Sequence, residues 1–185
     1  MSKHIVITGT GRCGTTFLVR LFTLLNLDTG YNRETMKTGI CSNCNSGLES
    51  RNLNCKSKIT KDPTLIDEIP RFPNEKLQRI EHVIIPIRNY DEAAKSRANH
   101  GNRAGGLCRN AKNAEQQKIA DMKSIANYIQ AMTMHDIQTT FLDFAKMTTD
   151  VEYLFNKLPS YIMKNITPER FLEAYQEATN LSKPK

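Results

Sequence analysis

The chain has 185 residues, 39% of them hydrophobic, and a formal net charge of +7. This length suits one domain with a substantial core and is short for two. We expect no membrane span, which needs about 20 apolar residues, and no signal peptide, because the apolar stretch 17–27 contains Arg20 and follows a glycine-rich loop. The basic surplus favours an anionic ligand or weak affinity for acidic polymers. It is equally typical of a solvated surface, so nucleic acid is not the expected partner.

The cysteines favour a reducing environment. Their number, five, is odd, and without a secretory signal this predicts a reducing, cytoplasmic compartment. Cys41 and Cys44, with two residues between them, are followed by Cys55 and resemble half of a zinc site. A fourth ligand is not evident, with Cys108 and His100 as the candidates. Free thiols are therefore the preferred interpretation, and no metal is predicted.

The first predicted elements are a buried strand over residues 4–8 and a helix over 16–27, joined by a glycine-rich loop. This loop follows the phosphate-binding pattern G-x-x-x-x-G-K-[ST] at three positions: Gly9, Gly14 and Thr16. Thr15 stands where the pattern has lysine. In enzymes that use nucleoside triphosphates, that lysine reaches the β- and γ-phosphates. Its absence predicts an anionic nucleotide without a γ-phosphate chain.

The middle of the chain alternates between irregular and regular segments. Residues 29–57 are polar and aperiodic, which predicts an extended loop or a substrate-facing excursion. Residues 57–61 predict a short strand. Residues 82–88 predict a strong strand in spite of Pro86, which cannot donate a hydrogen bond to a ladder. A helix over 91–100 is expected next, because acidic residues occupy its first turn.

A basic, glycine-rich loop at residues 101–113 precedes a long helix predicted over 114–135. Apolar residues recur along that helix at helical spacing, and we predict that they belong to the core: Ile119, Met122, Ile125, Ile129 and Met132. A further strand is predicted over residues 139–144.

The C-terminal third completes the predicted fold. Thr149 and Glu152 predict a capping box, and Thr167-Pro168 predicts the start of a last helix. Strands that alternate with helices predict an α/β fold with a mostly parallel central sheet flanked by helices. We expect a single domain over residues 1–180 and a flexible tail over 181–185.

A second group of candidate ligand-binding residues follows the strand over 82–88. Arg88 ends this strand, Ser96 comes eight residues later, and Arg97 is next. Ligands of open parallel sheets bind beyond the carboxyl ends of the strands, where the first loop also lies. We therefore expect both segments to converge on one ligand with two separated anionic groups, Arg88 through a charge-assisted contact and Ser96 through its hydroxyl. Spacing alone is equally consistent with a surface arginine beside a helix start.

Together these segments resemble the sulfotransferases that use 3′-phosphoadenosine-5′-phosphosulfate, PAPS. Gly11-Arg12-Cys13-Gly14-Thr15-Thr16 resembles the family's 5′-phosphosulfate loop, R-S-G-T-T. The segment from Arg88 to Ser96 resembles its 3′-phosphate motif, in which an arginine ends a strand and a serine follows eight residues later. Residues 141–158 are similar to the family's late strand and following helix. The order and the strand–helix settings of the motifs make the combination specific.

The resemblance implies a P-loop-type fold and transfer of a sulfuryl group from PAPS to a hydroxyl or amine, leaving 3′,5′-bisphosphoadenosine. A sulfuryl group carries less charge than a γ-phosphoryl group, so no metal is required. Arg12, with Thr15, Thr16 and helix N-terminal amides, would hold and stabilise the leaving 5′-phosphate. The implied cofactor-binding residues are Gly11, Arg12, Cys13, Gly14, Thr15, Thr16, Phe17, Arg88 and Ser96. A helix N-terminus lowers a thiol's pKa, but we interpret Cys13 as a packing substitute for serine and not as a nucleophile.

Three side chains are candidates for the general base that deprotonates the acceptor. Glu34 follows the first helix, where several members of the family place a catalytic glutamate. Asp62 ends a predicted strand, and its alternative role is to cap the following turn. His100 has a suitable intrinsic pKa, although a lone histidine is more often structural. Lys61 resembles a lysine that contacts the transferred group, and its alternative is a solvated side chain.

The acceptor and two rival functions stay open at this stage. Loops 29–57 and 101–113 are polar, which favours a small polar molecule or a glycan as the acceptor. A P-loop phosphotransferase is disfavoured by the missing lysine and by the lack of a strand ending in an acid, apart from Leu142-Asp143. A non-catalytic nucleotide- or nucleic-acid-binding module would suit the charge, but few aromatic residues are present for stacking. The sequence predicts no oligomeric state.

Overall fold

The computed structural model describes residues 3–40, 47–50, 53–101 and 105–182. Its sheet has four strands, all parallel, in the order β2-β1-β3-β4. The strands are β1 His4–Ile7, β2 Ile59–Lys61, β3 Ile80–Ile87 and β4 Thr139–Asp143. All four predicted strands are confirmed, with shifted ends. β1, β3 and β4 each end one residue earlier than expected, β2 begins two residues later, and β3 begins two residues earlier.

Ten α-helices and one 3-10 turn lie within the described ranges and cover both faces of the sheet. The helices are α1 Thr15–Leu24, α2 Thr35–Thr38, α3 Leu65–Glu68, α4 Asn74–Leu77, α5 Tyr90–His100, α6 Ala114–Met134, α7 Phe144–Thr149, α8 Val151–Lys157, α9 Ser160–Met163 and α10 Pro168–Ser182, with the 3-10 turn at Ile69–Arg71. No helix in the described part of the chain is long and apolar enough to cross a membrane. The predicted α/β class, with a parallel sheet between helices in one compact domain, is confirmed.

Alternate residues along the strands build two separate cores. Ile5 and Ile7 of β1 pack with α1, α8 and α10, whereas Val6 packs with α3, α6 and the 3-10 turn. Such an alternation is expected for a strand whose side chains point to opposite faces. Both faces of β1 are buried, which explains its uninterrupted apolar run.

The chain reverses direction across the sheet between β1 and β3. From β1 it passes through α1 on one face to β2, then through α3 and α4 to β3 on the other side of β1. All carboxyl ends lie at the same edge because the strands are parallel. The crevice beyond β1 and β3 is the position where open α/β sheets bind ligands.

Pro86 is accommodated in an interior strand because β1 ends before reaching it. The β1 ladder with β3 ends at Ile7 opposite Ile84, while Pro86 pairs with β4 through Leu142. The Pro86 carbonyl faces the loop after β1, close to Gly9. The missing N–H points to that same side, so no strand there requires it as a donor.

The stripe predicted as core on α6 is largely exposed, which corrects the prediction. Ile119 is 58% exposed, and Met122 and Ile129 also face outward, while Ile125 is buried and Met132 partly so. The buried side of α6 is instead mostly polar: Gln117, Asp121, Ser124, Ile125, Tyr128 and Ala131. Helical spacing identified the helix but not its buried face. The polar residues on that face can be buried because they have hydrogen-bonding and ion-pair partners, which are described below.

Two further predictions change at the ends of helices. Asp150, not Thr149, caps α8, because its carboxylate accepts a hydrogen bond from the Tyr153 amide at 2.8 Å, and Thr149 ends α7. Helix α10 starts at Pro168 with Thr167 before it, as predicted, and continues through Ser182. Residues 181 and 182 of the predicted tail are thus helical, and 183–185 lie outside the described residues.

The predicted excursion 29–57 contains α2, and its residues 41–46 and 51–52 also lie outside the described residues.

Candidate functional site

The carboxyl edge of the sheet carries the predicted ligand-binding segments. The glycine loop, defined as residues 8–14, follows β1 and leads into α1. Lys61 and Asp62 stand at the end of β2, on one side of this loop, and Arg88 follows β3 on the other side. The sheet order therefore brings the segments around a single central loop.

The glycine loop has a backbone that requires glycine at two positions. Gly11 and Gly14 have φ angles of 89° and 86°, a region that residues with a side chain rarely adopt. A Cβ on Gly14 would lie 2.6 Å from Cε of Met147 and 3.0 Å from the Phe144 ring. A Cβ on Gly11 would overlap the guanidinium of Arg97. Both the backbone conformation and the packing therefore require glycine at these two positions.

The N-terminus of α1 begins at Gly14, and no side chain of the described residues caps it. By contrast, α5, α6, α7 and α8 are each preceded by an Asn or Asp whose side chain accepts backbone hydrogen bonds from the first turn. The first turn of α1 contains no acidic residue. Its amide groups and the positive end of its dipole therefore suit an anion.

The structure brings Arg12, Arg88 and Ser96 together, as the sequence predicted. Nε of Arg12 donates to the Ser96 hydroxyl at 3.2 Å, and Nη1 of Arg88 donates to the Arg12 carbonyl at 3.4 Å. The Arg88 guanidinium lies 5.0 Å from the centre of the Phe144 ring and also pairs with Glu92. The two predicted anion-binding segments thus form one cationic cluster beside the glycine loop.

Lys61 enters the site from the neighbouring strand β2. Its side chain is only 2% exposed, and its ammonium donates to the Thr16 hydroxyl at 3.0 Å and to the Gly47 carbonyl. The carboxylate of Glu49 pairs with it at 2.8 Å. Burial lowers the pKa of Lys61, and the Glu49 carboxylate opposes this shift. The predicted alternative, a solvated lysine, is therefore wrong, because the ammonium is fully enclosed.

The three predicted base candidates occupy different settings. The Asp62 carboxylate accepts hydrogen bonds from the amide and hydroxyl of Thr64 at 2.9 and 2.8 Å, which is the turn-capping role considered as its alternative. Glu34 is exposed at the start of α2. His100 is the last residue of α5. Glu49, which no sequence pattern selected, is linked to the Thr16 hydroxyl through the Lys61 ammonium, which lies 2.8 Å from Glu49 and 3.0 Å from Thr16.

The remaining predicted loop residues are buried around the loop. The Cys13 thiol is enclosed, and burial raises its pKa more than the Gly11 backbone hydrogen bond lowers it. The lowered pKa expected at a helix N-terminus is thus wrong, and the side chain packs as a neutral thiol. Thr15 is also buried. The Phe17 ring packs edge-to-face against Tyr175 at 5.6 Å in the core, so only its backbone faces the site.

A network of buried charges that the sequence did not predict lies beneath the glycine loop. Arg97 donates to the carbonyls of Thr10 and Gly106. Arg109 donates to the same Thr10 carbonyl at 3.3 Å and pairs with Asp67 at 2.8 Å and Asp121 at 3.0 Å. Arg109 thus pairs with two carboxylates, and burial nevertheless raises the pKa of Asp121. A basic loop at 101–113 was the only sequence signal for this network.

The predicted zinc half-site falls partly outside the described residues. Cys41 and Cys44 lie there, Cys55 contacts Ser57, and Cys108 accepts a hydrogen bond from Arg109. Among the residues that the structure describes, no group of three metal-ligating side chains is assembled.

Comparisons with protein-family models, with curated proteins and with solved structures found no match to this chain. Arguments about function therefore rest on the residues at the carboxyl edge of the sheet and on their geometry.

Proposed function

We propose that the protein is a PAPS-dependent sulfotransferase and that its glycine loop is a P-loop-type anion site. The contact of Arg12 with both Ser96 and Arg88 carries the proposal. It joins the N-terminus of α1, which no described side chain caps and which suits a 5′-phosphate, to a second cationic group about the length of one side chain away. A nucleotide with phosphates at both its 5′ and 3′ ends has the two separated anionic groups that such a cluster can bind.

Lys61 supports a group transfer that needs no divalent cation. In P-loop NTPases the hydroxyl at the position of Thr16 binds Mg²⁺. Here the ammonium of Lys61 donates to this hydroxyl at 3.0 Å. The site therefore supplies its own positive charge beside the loop, which is enough for a leaving group that carries one phosphate and not a polyphosphate chain.

Each residue has a role that follows from its position. When bound, PAPS supplies a sulfuryl group attached to the 5′-phosphate as leaving group. Arg12, Lys61 and the α1 amides stabilise the negative charge that the 5′-phosphate gains as its bond to sulfur breaks. Arg88 and Ser96 hold the 3′-phosphate. A carboxylate takes the proton of the acceptor hydroxyl as its oxygen bonds to sulfur, and Glu49 and Glu34 are the candidates.

The proposed acceptor is a small polar molecule or a glycan. Its hydroxyl or amine would enter between the polar excursion 29–57 and the loop 101–113. Lys61 links the excursion to Thr16 at the start of α1, and Arg97 links the loop 101–113 to the glycine loop. The reducing, cytoplasmic setting expected from the cysteines is part of the same proposal.

Calorimetry tests the proposal against its rivals. We expect 3′,5′-bisphosphoadenosine to bind in EDTA, and ATP and adenosine 5′-monophosphate to bind much more weakly. Binding that needs Mg²⁺ and a γ-phosphate would instead identify a phosphotransferase. Tight nucleotide binding without sulfuryl transfer from labelled PAPS to any member of a polar acceptor panel would identify a non-catalytic module.

A further inference from the structure

A buried arginine, Arg97, and a partly buried one, Arg109, converge on a single backbone carbonyl of the glycine loop. Arg97, 7% exposed, donates through Nη2 to the Thr10 carbonyl and through Nη1 to the Gly106 carbonyl. Arg109 donates to the same Thr10 carbonyl at 3.3 Å. Neither side chain has a role in the proposed reaction, although burying the Arg97 guanidinium and partly burying that of Arg109 is costly. Both guanidinium groups bind the same carbonyl, so their shared effect is to fix the position of that carbonyl.

The Thr10 carbonyl controls the direction of the next amide. A peptide unit is planar and trans, so the C=O of Thr10 and the N–H of Gly11 point in opposite directions. With the carbonyl drawn into the fold by two cations, the Gly11 amide points towards the inside of the loop. There it hydrogen-bonds to the Cys13 thiol. The arginines thus hold the Thr10–Gly11 peptide in one orientation, and with it the hydrogen bond between the Gly11 amide and Cys13 inside the loop.

This support is needed because the peptide adjoins a glycine. Gly11 has a φ of 89°, and glycine permits both this conformation and the alternatives in which the Thr10–Gly11 peptide is turned over. In the turned state the Thr10 carbonyl would direct its partial negative charge into the anion site. The guanidinium of Arg97 also packs where a Gly11 side chain would be, so the same contact holds the loop from below.

Other residues hold Arg109 and Arg97 in place. Arg109 is held by Asp67 and Asp121, and Gln117 donates to Asp121 at 2.9 Å. Arg97 lies next to Ser96 on α5, and Ser96 contacts Arg12 of the glycine loop. Two consecutive residues of α5 therefore have different roles. Ser96 contacts the cationic cluster, and Arg97 supports the glycine loop.

We propose that Arg97, assisted by Arg109, is a positioning residue that holds the Thr10–Gly11 peptide so that the glycine loop presents its amides to an anion. The inference rests on the proposed function only in taking the 5′-phosphate of the nucleotide as that anion. It adds two residues that act through the loop backbone and not by contact with the ligand.

The test compares Arg97→Met, Arg97→Lys and the exposed neighbour Lys95→Ala. The measurements are the affinity for 3′,5′-bisphosphoadenosine in EDTA and hydrogen exchange at the amides of residues 11–14, with the amides of α10 as an internal reference. We expect Arg97→Met to weaken binding about tenfold or more and to speed exchange in the loop but not in α10. Arg97→Lys restores one donor and is expected to lie between Arg97→Met and the wild type, while Lys95→Ala matches the wild type.

The outcomes separate this proposal from the proposed function. If the wild type does not bind the nucleotide, the proposed function fails, and the exchange rates alone decide the role of Arg97. A folded Arg97→Met protein with wild-type exchange in the loop overturns the positioning role. If Arg97→Met does not fold, Arg97→Lys decides, because its single ammonium cannot hold the Thr10 and Gly106 carbonyls as a guanidinium does. Wild-type affinity and exchange in that variant then overturn the proposal.

Discussion

Replacement of Lys61 by methionine should separate ligand binding from stability. The ammonium makes hydrogen bonds to Thr16 and Gly47 and an ion pair with Glu49. Each hydrogen bond contributes about 1 kcal/mol net to folding, but burial of the ammonium costs a similar amount or more. Glu49 is 34% exposed, so its carboxylate is rehydrated when the lysine is removed. We therefore expect the free energy of unfolding to change by about 1 kcal/mol or less.

The effect of Lys61→Met on binding should be much larger. The three N–H groups of the ammonium are taken by Thr16, Gly47 and Glu49, so it acts on a bound phosphate through its charge. At an effective dielectric constant of about 20, a unit charge about 6 Å from a phosphate contributes about 3 kcal/mol, and we expect a loss of about 10- to 150-fold in affinity. The affinity for 3′,5′-bisphosphoadenosine is measured by calorimetry in EDTA, and stability by urea unfolding. Lys58→Met is the matched control, because Lys58 approaches the same strand from its other end and also pairs with a glutamate, Glu81. Unchanged affinity in Lys61→Met, or an equal loss in Lys58→Met, refutes the role of Lys61.

Three further results are expected. Arg88→Ala should weaken binding of 3′,5′-bisphosphoadenosine about 10- to 100-fold while leaving adenosine 5′-monophosphate nearly unaffected; calorimetry with both ligands checks this, and an equal loss for both contradicts the assignment. If Glu49 is the base, Glu49→Gln should reduce sulfuryl transfer from labelled PAPS about 100-fold or more with nucleotide affinity retained, whereas Glu34→Gln should not; the reverse result assigns the base to Glu34. Gly14→Ala should destabilise the fold by more than Gly101→Ala, because both have a positive φ but only Gly14 also meets Met147 and Phe144; the strain alone costs about 1–2 kcal/mol, and equal urea midpoints would show that the packing contributes nothing.

Much of the fold was predictable because its signals are local. β1 and β3 are short apolar runs rich in β-branched residues, and both faces of each are covered, so their sequences identify buried strands directly. The convergence of Arg88 with the glycine loop was predictable too. It follows from parallel strands, whose carboxyl ends meet at one edge whatever the details of the loops.

The parts that were missed depend on pairings between distant residues. Asp121 and Gln117 make the buried face of α6 polar, because Arg109 reaches Asp121 from the preceding loop and Gln117 donates to Asp121. The apolar stripe predicted as core therefore lies on the exposed face. Glu49 lies in an aperiodic segment, and its importance comes from Lys61, which is twelve positions further along the chain. Neither residue belongs to a pattern, so no periodicity or spacing could select it.

Under the proposed function, Lys61 supplies the positive charge that a loop without its own lysine lacks. In the phosphate-binding pattern the lysine stands at position 15 and extends from the helix over the phosphate chain. Here position 15 is a buried threonine, and the ammonium reaches Thr16 from β2. A cation held by Thr16, Gly47 and Glu49 is fixed in place and cannot extend along a chain of phosphates. Such a charge suits a leaving group whose position is fixed, and the second anion is then left to Arg88 and Ser96.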